Sequence, residues 1–227
     1  MRSISGVINS EPLRSTALVS LTVGVIGISY GAISVASGLP AWVPVTLSVL
    51  VLAASSEFLF VGIIAAGGSP IAALLAGLLV NARHVPLGLA LPDVLGQGWR
   101  RVLGIHLMND ESVVFAIAQD DPRRSRVAYW ACGLGILACW PVGAALGAFI
   151  GSVIGNTDAF GLDAMFPAVI LSLILPALRD RGIRRCALAG AAFALITTPF
   201  LPAGLPVLLA LAALPLLNAP HRRRAAR

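Results

Sequence analysis

Long apolar stretches separated by short polar ones run through almost the whole chain, and their lengths match membrane-crossing helices better than elements of a soluble core. The runs are Thr16 to Gly38, Trp42 to Ala66, Pro70 to Leu91, Val127 to Ile154, Leu162 to Leu178, Cys186 to Leu201 and Gly204 to Leu217. Gly, Pro or Arg bounds each run, as expected where helices stop. A hydrocarbon layer roughly 30 Å thick takes about 20 helical residues to cross, so the first four runs suffice on their own. The last two are shorter and read either as a tight hairpin broken at Leu201-Pro202-Ala203-Gly204 or as one distorted span. Val102 to Gln119 is a further candidate, apolar at both ends but with Asp110 and Glu111 near its centre.

Composition agrees with the pattern. The 227 residues are 58% hydrophobic and 11% charged, with a mean hydropathy of +0.91, whereas soluble domains are about 25% charged. The expected fold is an all-α integral membrane protein, a bundle of about eight (seven to eight) transmembrane helices with broken or kinked helices. It forms one transmembrane domain over 16–218, between an amino-terminal segment, 1–15, and an Arg-rich tail, 219–227.

Charge then decides the topology. The net charge is +6 and Lys is absent, but the Arg residues sit at the ends of apolar runs without an aromatic-basic module, so they report topology and not nucleic acid. Arg2 and Arg14 precede an apolar stretch too long for a signal-peptide core, which makes it a retained first span. If 102–119 crosses and the final hairpin is real, both termini share a face with Arg14, the cluster Arg123, Arg124 and Arg126, and the later Arg groups. Only Arg100 and Arg101 then lie opposite, and the Arg-rich face is cytoplasmic. If 102–119 does not cross, Arg2 and Arg14 part from the later clusters, so eight crossings are preferred. Cys132, Cys139 and Cys186 are too few for a disulfide scaffold and read as small buried hydrophobes.

The candidate chemistry lies in polar residues that a membrane should exclude. An Asp or Arg at the centre of a spanning helix costs roughly 2.5 to 3.5 kcal/mol, so such residues usually face a bundle interior or an aqueous cavity. Glu57 lies mid-run in "LAASSEFLF", and Asn81, Arg83 and His84 interrupt "LLVNARHVPLG". The turn "AGGSP" makes these two runs a hairpin, and a rise of about 1.5 Å per residue puts Glu57 about 16 Å, Asn81 about 20 Å and Arg83 about 23 Å from the turn. A Glu57–Arg83 pair near the midplane is therefore feasible. It is either a lock on the hairpin or a substrate or coupling site; a buried pair is a poor route to stability, which favours the second. In "MNDESVV", Asn109 is a good N-cap with Asp110 and Glu111 in the first turn. A helix starting partway across a membrane presents backbone donors to a charged substrate; the alternative is a surface loop followed by an interfacial helix.

Gly143, Gly147, Gly151 and Gly155 recur every fourth residue, as close helix packing requires. Pro86, Pro141, Pro167 and Pro176 suggest kinks. His84 and His106 are either proton carriers or hydrogen-bonded structural residues, and Ser55 and Ser56 either bind a ligand or satisfy backbone carbonyls. The chain has no paired metal-ligand spacing, no phosphate loop and no nucleophile motif with a base, so neither a metal, a cofactor nor an enzyme is expected.

Taken in order, "GISYGAISVASGLPAW", "LAASSEFLFVGIIAAGGSP", "LLVNARHVPLG", "NDESVVFAIA" and "GLDAMFPAVILSLILPALRDR" resemble the AzlC family, the large subunit of branched-chain amino acid exporters, over roughly residues 20 to 185. The resemblance implies a multi-pass protein of the bacterial cytoplasmic membrane, and the Arg bias places both termini on its cytoplasmic side. It also implies export of Leu, Ile, Val and often Met, driven by the proton-motive force, with a small hydrophobic AzlD-type subunit as partner. One departure stands out: the family usually has Gln where this chain has Glu57. On this reading Arg83, Asn81 or the helix start at Asn109 meets the substrate carboxylate. Glu57, Asp110 or Glu111 meets its ammonium, aliphatic walls such as Phe58 and Leu78 hold its side chain, and protonation of one carboxylate gives antiport.

Overall fold

The structure, a computed structural model, describes residues 10–91, 94–153, 171, 174–175, 177–201 and 205–218. Every regular element among them is helical: α1 (Ser10–Ala36), α2 (Trp42–Leu50), α3 (Ala54–Ala65), α4 (Pro70–Asn81), α5 (His84–Leu89), α6 (Trp99–His106), α7 (Asp110–Ile117), α8 (Pro122–Val153), α9 (Arg181–Thr197) and α10 (Leu205–Leu209), with 3-10 turns at Ala177–Arg179 and Ala210–Asn218. Among the described residues, three helices are long and apolar enough to cross a membrane: Leu13–Ala36, Pro70–Leu89 and Pro122–Val153.

The central pair is α1 with α8, and glycine makes it. A Cβ on Gly147 would collide with the Ile28 carbonyl oxygen, one on Gly143 with that of Gly24, and one on Gly31 with that of Ala144. Without side chains at these positions the two backbones touch, the close approach small residues allow in a membrane. The expected packing role holds for Gly143, Gly147 and Gly151; Gly155 lies outside the described residues. The contacts advance in step, Gly135 by Ser20, Gly143 by Gly24, Gly147 by Ile28 and Gly151 by Ala32. The two helices therefore run in the same direction.

α4 and α5 run the other way. Ser69 caps α4 by accepting from the Ala72 amide at 3.1 Å, with Pro70 in the first turn, the residue types expected there. Ala82 and Arg83 keep right-handed helical backbone angles, so α5 continues α4 after a tight kink. The chain then reaches Leu91 and Val94, which pack with Ala116 and Tyr129 at the end where α8 begins.

The remaining two segments correct the expected topology. The run Trp42 to Ala66 is not one crossing: α2 ends at Leu50, the chain turns, and α3 leads back toward the face from which α2 entered. The turn is near mid-height, where Leu52 lies beside Ile26 and Ile136. Four residues into α3, Phe58 meets Tyr30, one turn further along α1 than Ile26, so α3 is retreating. Residues 102–119 also fold back. Arg100 lies with Arg126 and Trp130, Leu107 reaches Gly133, and Ala116 is back beside Ser125, whose hydroxyl donates to its carbonyl at 2.8 Å. The molecule thus contains two helical hairpins, α2–α3 and α6–α7, inserted from opposite faces with their tips at mid-height.

Because both segments turn back, α1 and α8 still point the same way, and Arg14 and the Arg123–Arg126 cluster still share a face. Arg100 and Arg101, expected opposite, join them, since α6 starts beside the start of α8. At the carboxyl end, the Cys186 thiol donates to the Ala213 carbonyl at 3.3 Å and Gly190 abuts Ala210, so α9 and residues 205–218 form the antiparallel hairpin that was one of two readings. Most of the run Leu162 to Leu178, Pro167, Pro176, Arg2 and the Arg-rich tail lie outside the described residues.

Candidate functional site

Each hairpin tip is built by its own sequence. In the first, residues 51–53 break the helix and Leu52 adopts φ 52°, a left-handed conformation that an ordinary side chain rarely accepts and that clusters at functional sites. Glu57 holds this tip. Its Oε1 accepts from the Ala53 amide at 2.9 Å, and both carboxylate oxygens accept from Trp140 Nε1 at 3.1 Å. Trp140 stacks on Tyr30, with ring centroids 5.2 Å apart and planes 18° apart, and Glu57 is 1% exposed. In the second tip, Asn109 Oδ1 accepts from the Ser112 amide at 2.8 Å while Ser112 Oγ accepts from the Asn109 amide at 3.1 Å. This reciprocal cap confirms Asn109 as the start of a helix inside the molecule. A bond of 2.8 Å between His106 Nε2 and the Val49 carbonyl ties the two tips together.

A cavity of about 180 Å³ lies between the tips, below the roughly 300–1,000 Å³ typical of drug-sized ligands and suited to a small solute. Its polar side is Ser55 from the first hairpin, Asn109, Asp110 and Glu111 from the second, and Arg83 from the α4–α5 kink; Val23, Ile26, Leu52, Ile136 and Trp140 make the apolar side. Arg83 Nη2 lies 2.8 Å from Asp110 Oδ2. The amino-terminal turns of α3 and α7 both face this space, and first-turn amides have no carbonyl partner within their helix. Two buried polar atoms on the lining, Ser55 Oγ and Asn109 Nδ2, have no hydrogen-bond partner among the described residues. Such atoms are uncommon in folded proteins and call for a ligand, an ion or water.

Four expected residues, Arg83, Asn109, Asp110 and Glu111, come together here. Asn81 and His84 do not line the cavity: His84 Nδ1 bonds the Asn81 carbonyl at 3.0 Å. The expected Glu57–Arg83 pair is replaced by Arg83–Asp110. The break at 51–53 turns the first residues of α3 toward α8, which sends Glu57 behind Trp140 and out of the cavity. The two serines also separate, because the Ser56 hydroxyl donates to the Ala53 carbonyl at 2.9 Å while Ser55 faces the cavity. Phe58 and Leu78, expected as walls, are not among its lining residues. Sequence reasoning missed Trp140, yet a signal was present: a tryptophan deep in an apolar run, far from the interfaces where this residue concentrates.

Glu57→Gln and Glu57→Leu both remove the ionisable carboxyl group, so their difference isolates the hydrogen bonds. Gln keeps one oxygen for Trp140 and Ala53. Leu strands both donors at about 1–3 kcal/mol each. The Leu variant is expected to lose its folded form at clearly lower temperature in detergent, measured by size exclusion after heating, while the Gln variant stays close to the parent.

Compared with known protein families, residues 19–154, more than half of the chain, match the family described as AzlC protein. The chain belongs to the AzlC family. The match runs from α1 to the end of α8 and contains every cavity residue, so the site lies in the part common to AzlC proteins. Among curated proteins, the chain is 29% identical over 154 residues to the branched-chain amino acid transport protein AzlC of Bacillus subtilis strain 168, covering 66% of this chain and 60% of that protein. It is 31% identical over 133 residues to an uncharacterized membrane protein of Haemophilus influenzae, covering 57% and 54% respectively. The chain thus spans somewhat over half the length of these relatives. No solved structure matches it.

Proposed function

We propose that this AzlC family member is a secondary transporter that exports branched-chain amino acids, Leu, Ile and Val and also Met, in exchange for protons. The observation that carries this reading is the small mid-height cavity whose polar side offers both charge signs and whose other side is aliphatic. The α-carboxylate lies against Arg83, Ser55 and the first-turn amides, the positive ends of two helices. The α-ammonium lies against Asp110 or Glu111, and the side chain against Val23, Ile26 and Ile136. Asn109 Nδ2 supplies a further donor. The name of the Bacillus subtilis relative supports the substrate class.

The two hairpins supply the means of alternation. Each tip connects to one face only, so separating α2–α3 from the bundle opens the cavity to one side and separating α6–α7 opens it to the other. Protonation of an acidic group at the second tip releases Arg83 from its partner and couples the two openings. Arg14, Arg100, Arg101, Arg123, Arg124 and Arg126 share one face, which is the cytoplasmic one by the positive-inside rule. A small hydrophobic AzlD-type subunit completes the system. In support, the Arg83 and Asp110 side chains, 39% and 48% exposed at mid-height, need cover from lipid.

Proteoliposomes containing the chain with its neighbouring small subunit test the coupling. With labelled leucine on both sides, a gradient of one pH unit should drive leucine toward the acidic side to a ratio approaching about tenfold, the limit for one-to-one exchange at about 1.4 kcal/mol. Leucine that equilibrates at the same rate and to the same level without the gradient would leave a facilitator in place of an antiporter.

A further inference from the structure

At the Arg-rich face a second cavity, about 310 Å³, lies between α6 and α8 and is lined by Gly96, Trp99, Arg100, Arg126 and Trp130. It is separate from the candidate transport site. The Arg100 guanidinium lies 5.8 Å from the centre of the Trp99 ring, and Trp130 Nε1 donates to the Val94 carbonyl at 2.9 Å, which fixes the indole as a wall.

The height of this cavity is set by the length of α8. Its 32 residues extend about 48 Å at 1.5 Å per residue, and a hydrocarbon layer of roughly 30 Å centred on them begins about six residues in. Arg126 and Trp130 bracket that boundary. Arginine below a head group and tryptophan at the same level is the arrangement expected at a membrane interface, and Arg presents a planar fork that pairs with phosphate oxygens. Below the cavity, Val102, Ile105 and Leu134 are exposed and apolar, a surface along which acyl chains can lie.

We propose that this cavity binds the phosphate of an anionic phospholipid head group. The glycerophosphate is held by Arg100 and Arg126, Trp99 and Trp130 pack against the glycerol region, and the acyl chains follow the apolar faces of α6 and α8. Basic recesses between membrane helices on the cytoplasmic side suit anionic lipids. Since both hairpin α6–α7 and α8 contribute walls, a lipid seated there ties the hairpin to the bundle.

Native mass spectrometry of the full chain released from detergent provides the test, with phosphatidylglycerol and phosphatidylcholine as probes. Phosphatidylglycerol is expected to stay bound where phosphatidylcholine does not, and Arg100→Gln with Trp99→Leu should weaken its retention at least about fivefold. Both replaced residues are exposed, so the fold is retained. Arg123→Gln with Arg124→Gln removes two charges nearby but outside the cavity and should leave retention unchanged. Equal retention of the two lipids, or equal loss in the two variants, overturns the proposal. Displacement of phosphatidylglycerol by millimolar inorganic phosphate reassigns the cavity to free phosphate and overturns the lipid assignment.

Discussion

Replacing Arg83 by alanine should abolish leucine export while the protein continues to insert. In the structure Arg83 lies 2.8 Å from Asp110 and is the cation of a cavity whose other charged groups, Asp110 and Glu111, are acidic. Its loss removes the group proposed to receive the substrate carboxylate and leaves the acids uncompensated. The pair is itself part-exposed, 39% and 48%, so the expected loss is that of one charge-assisted hydrogen bond to the substrate, about 1.5–3 kcal/mol, which is at least about tenfold in rate or affinity. Arg83→Lys keeps the charge but loses the planar fork, so partial activity is expected. Adding Asp110→Asn to Arg83→Ala should restore stability without restoring export, because it removes the stranded charge and supplies no new cation. The check is labelled-leucine export from cells, normalised to the amount of protein in the membrane fraction. A well-expressed Arg83→Ala variant that exports at the parental rate would remove the basis for the proposed site.

The other large effect lies in the α1–α8 seam and concerns folding. Gly147→Ala places a methyl group against the Ile28 carbonyl oxygen, and Gly143→Ala against that of Gly24. Overpacking usually costs about 1–3 kcal/mol when side chains can move aside. Here the obstacle is backbone, so the helices must separate and the rest of the seam opens with them. Each substitution is expected to destabilise by at least about 3 kcal/mol and to deplete the folded protein. Gly77→Ala provides the contrast, since nothing lies closer than 3.7 Å to its added carbon. Monodisperse protein recovered after detergent extraction is the measure, with Gly77→Ala near parental yield and the two seam variants far below it.

Much of this architecture was legible in the sequence, for reasons tied to particular residues. α1 and α8 showed as long apolar runs, the α3–α4 turn as "AGGSP", the start of α7 as Asn109, and the seam as glycine at every fourth position. The two hairpins did not show, because an apolar run of sufficient length reads the same whether it crosses once or folds back halfway. The first reversal falls at Val51-Leu52-Ala53, without the Gly or Pro that usually marks a break; it depends on Leu52 in a left-handed conformation and on Glu57 bound to Ala53 and Trp140, which are tertiary facts. Reversing both segments preserves the relative direction of the runs Thr16 to Gly38 and Val127 to Ile154, so the sharing of a face by Arg14 and Arg123 is legible in the sequence while the side of Arg100 and Arg101 is not. At the site, depth counting placed Arg83 at mid-height but could not choose its partner, because Glu57 and Asp110 lie at similar depths and only the rotation of α3 separates them.

The meeting of the two hairpin tips also has an electrical meaning. If each tip lies at the bottom of an open vestibule, the layer insulating the two sides is no thicker than the side chains around Leu52, Trp140 and the His106–Val49 bond. The membrane voltage would then drop mainly across that layer instead of across the full hydrocarbon thickness. A charge crossing it exchanges about 2.3 kcal/mol for every 100 mV, whereas a zwitterion, with no net charge, gains nothing. In the proposed exchange the counter-moving proton alone then senses the potential, so leucine export is expected to generate current.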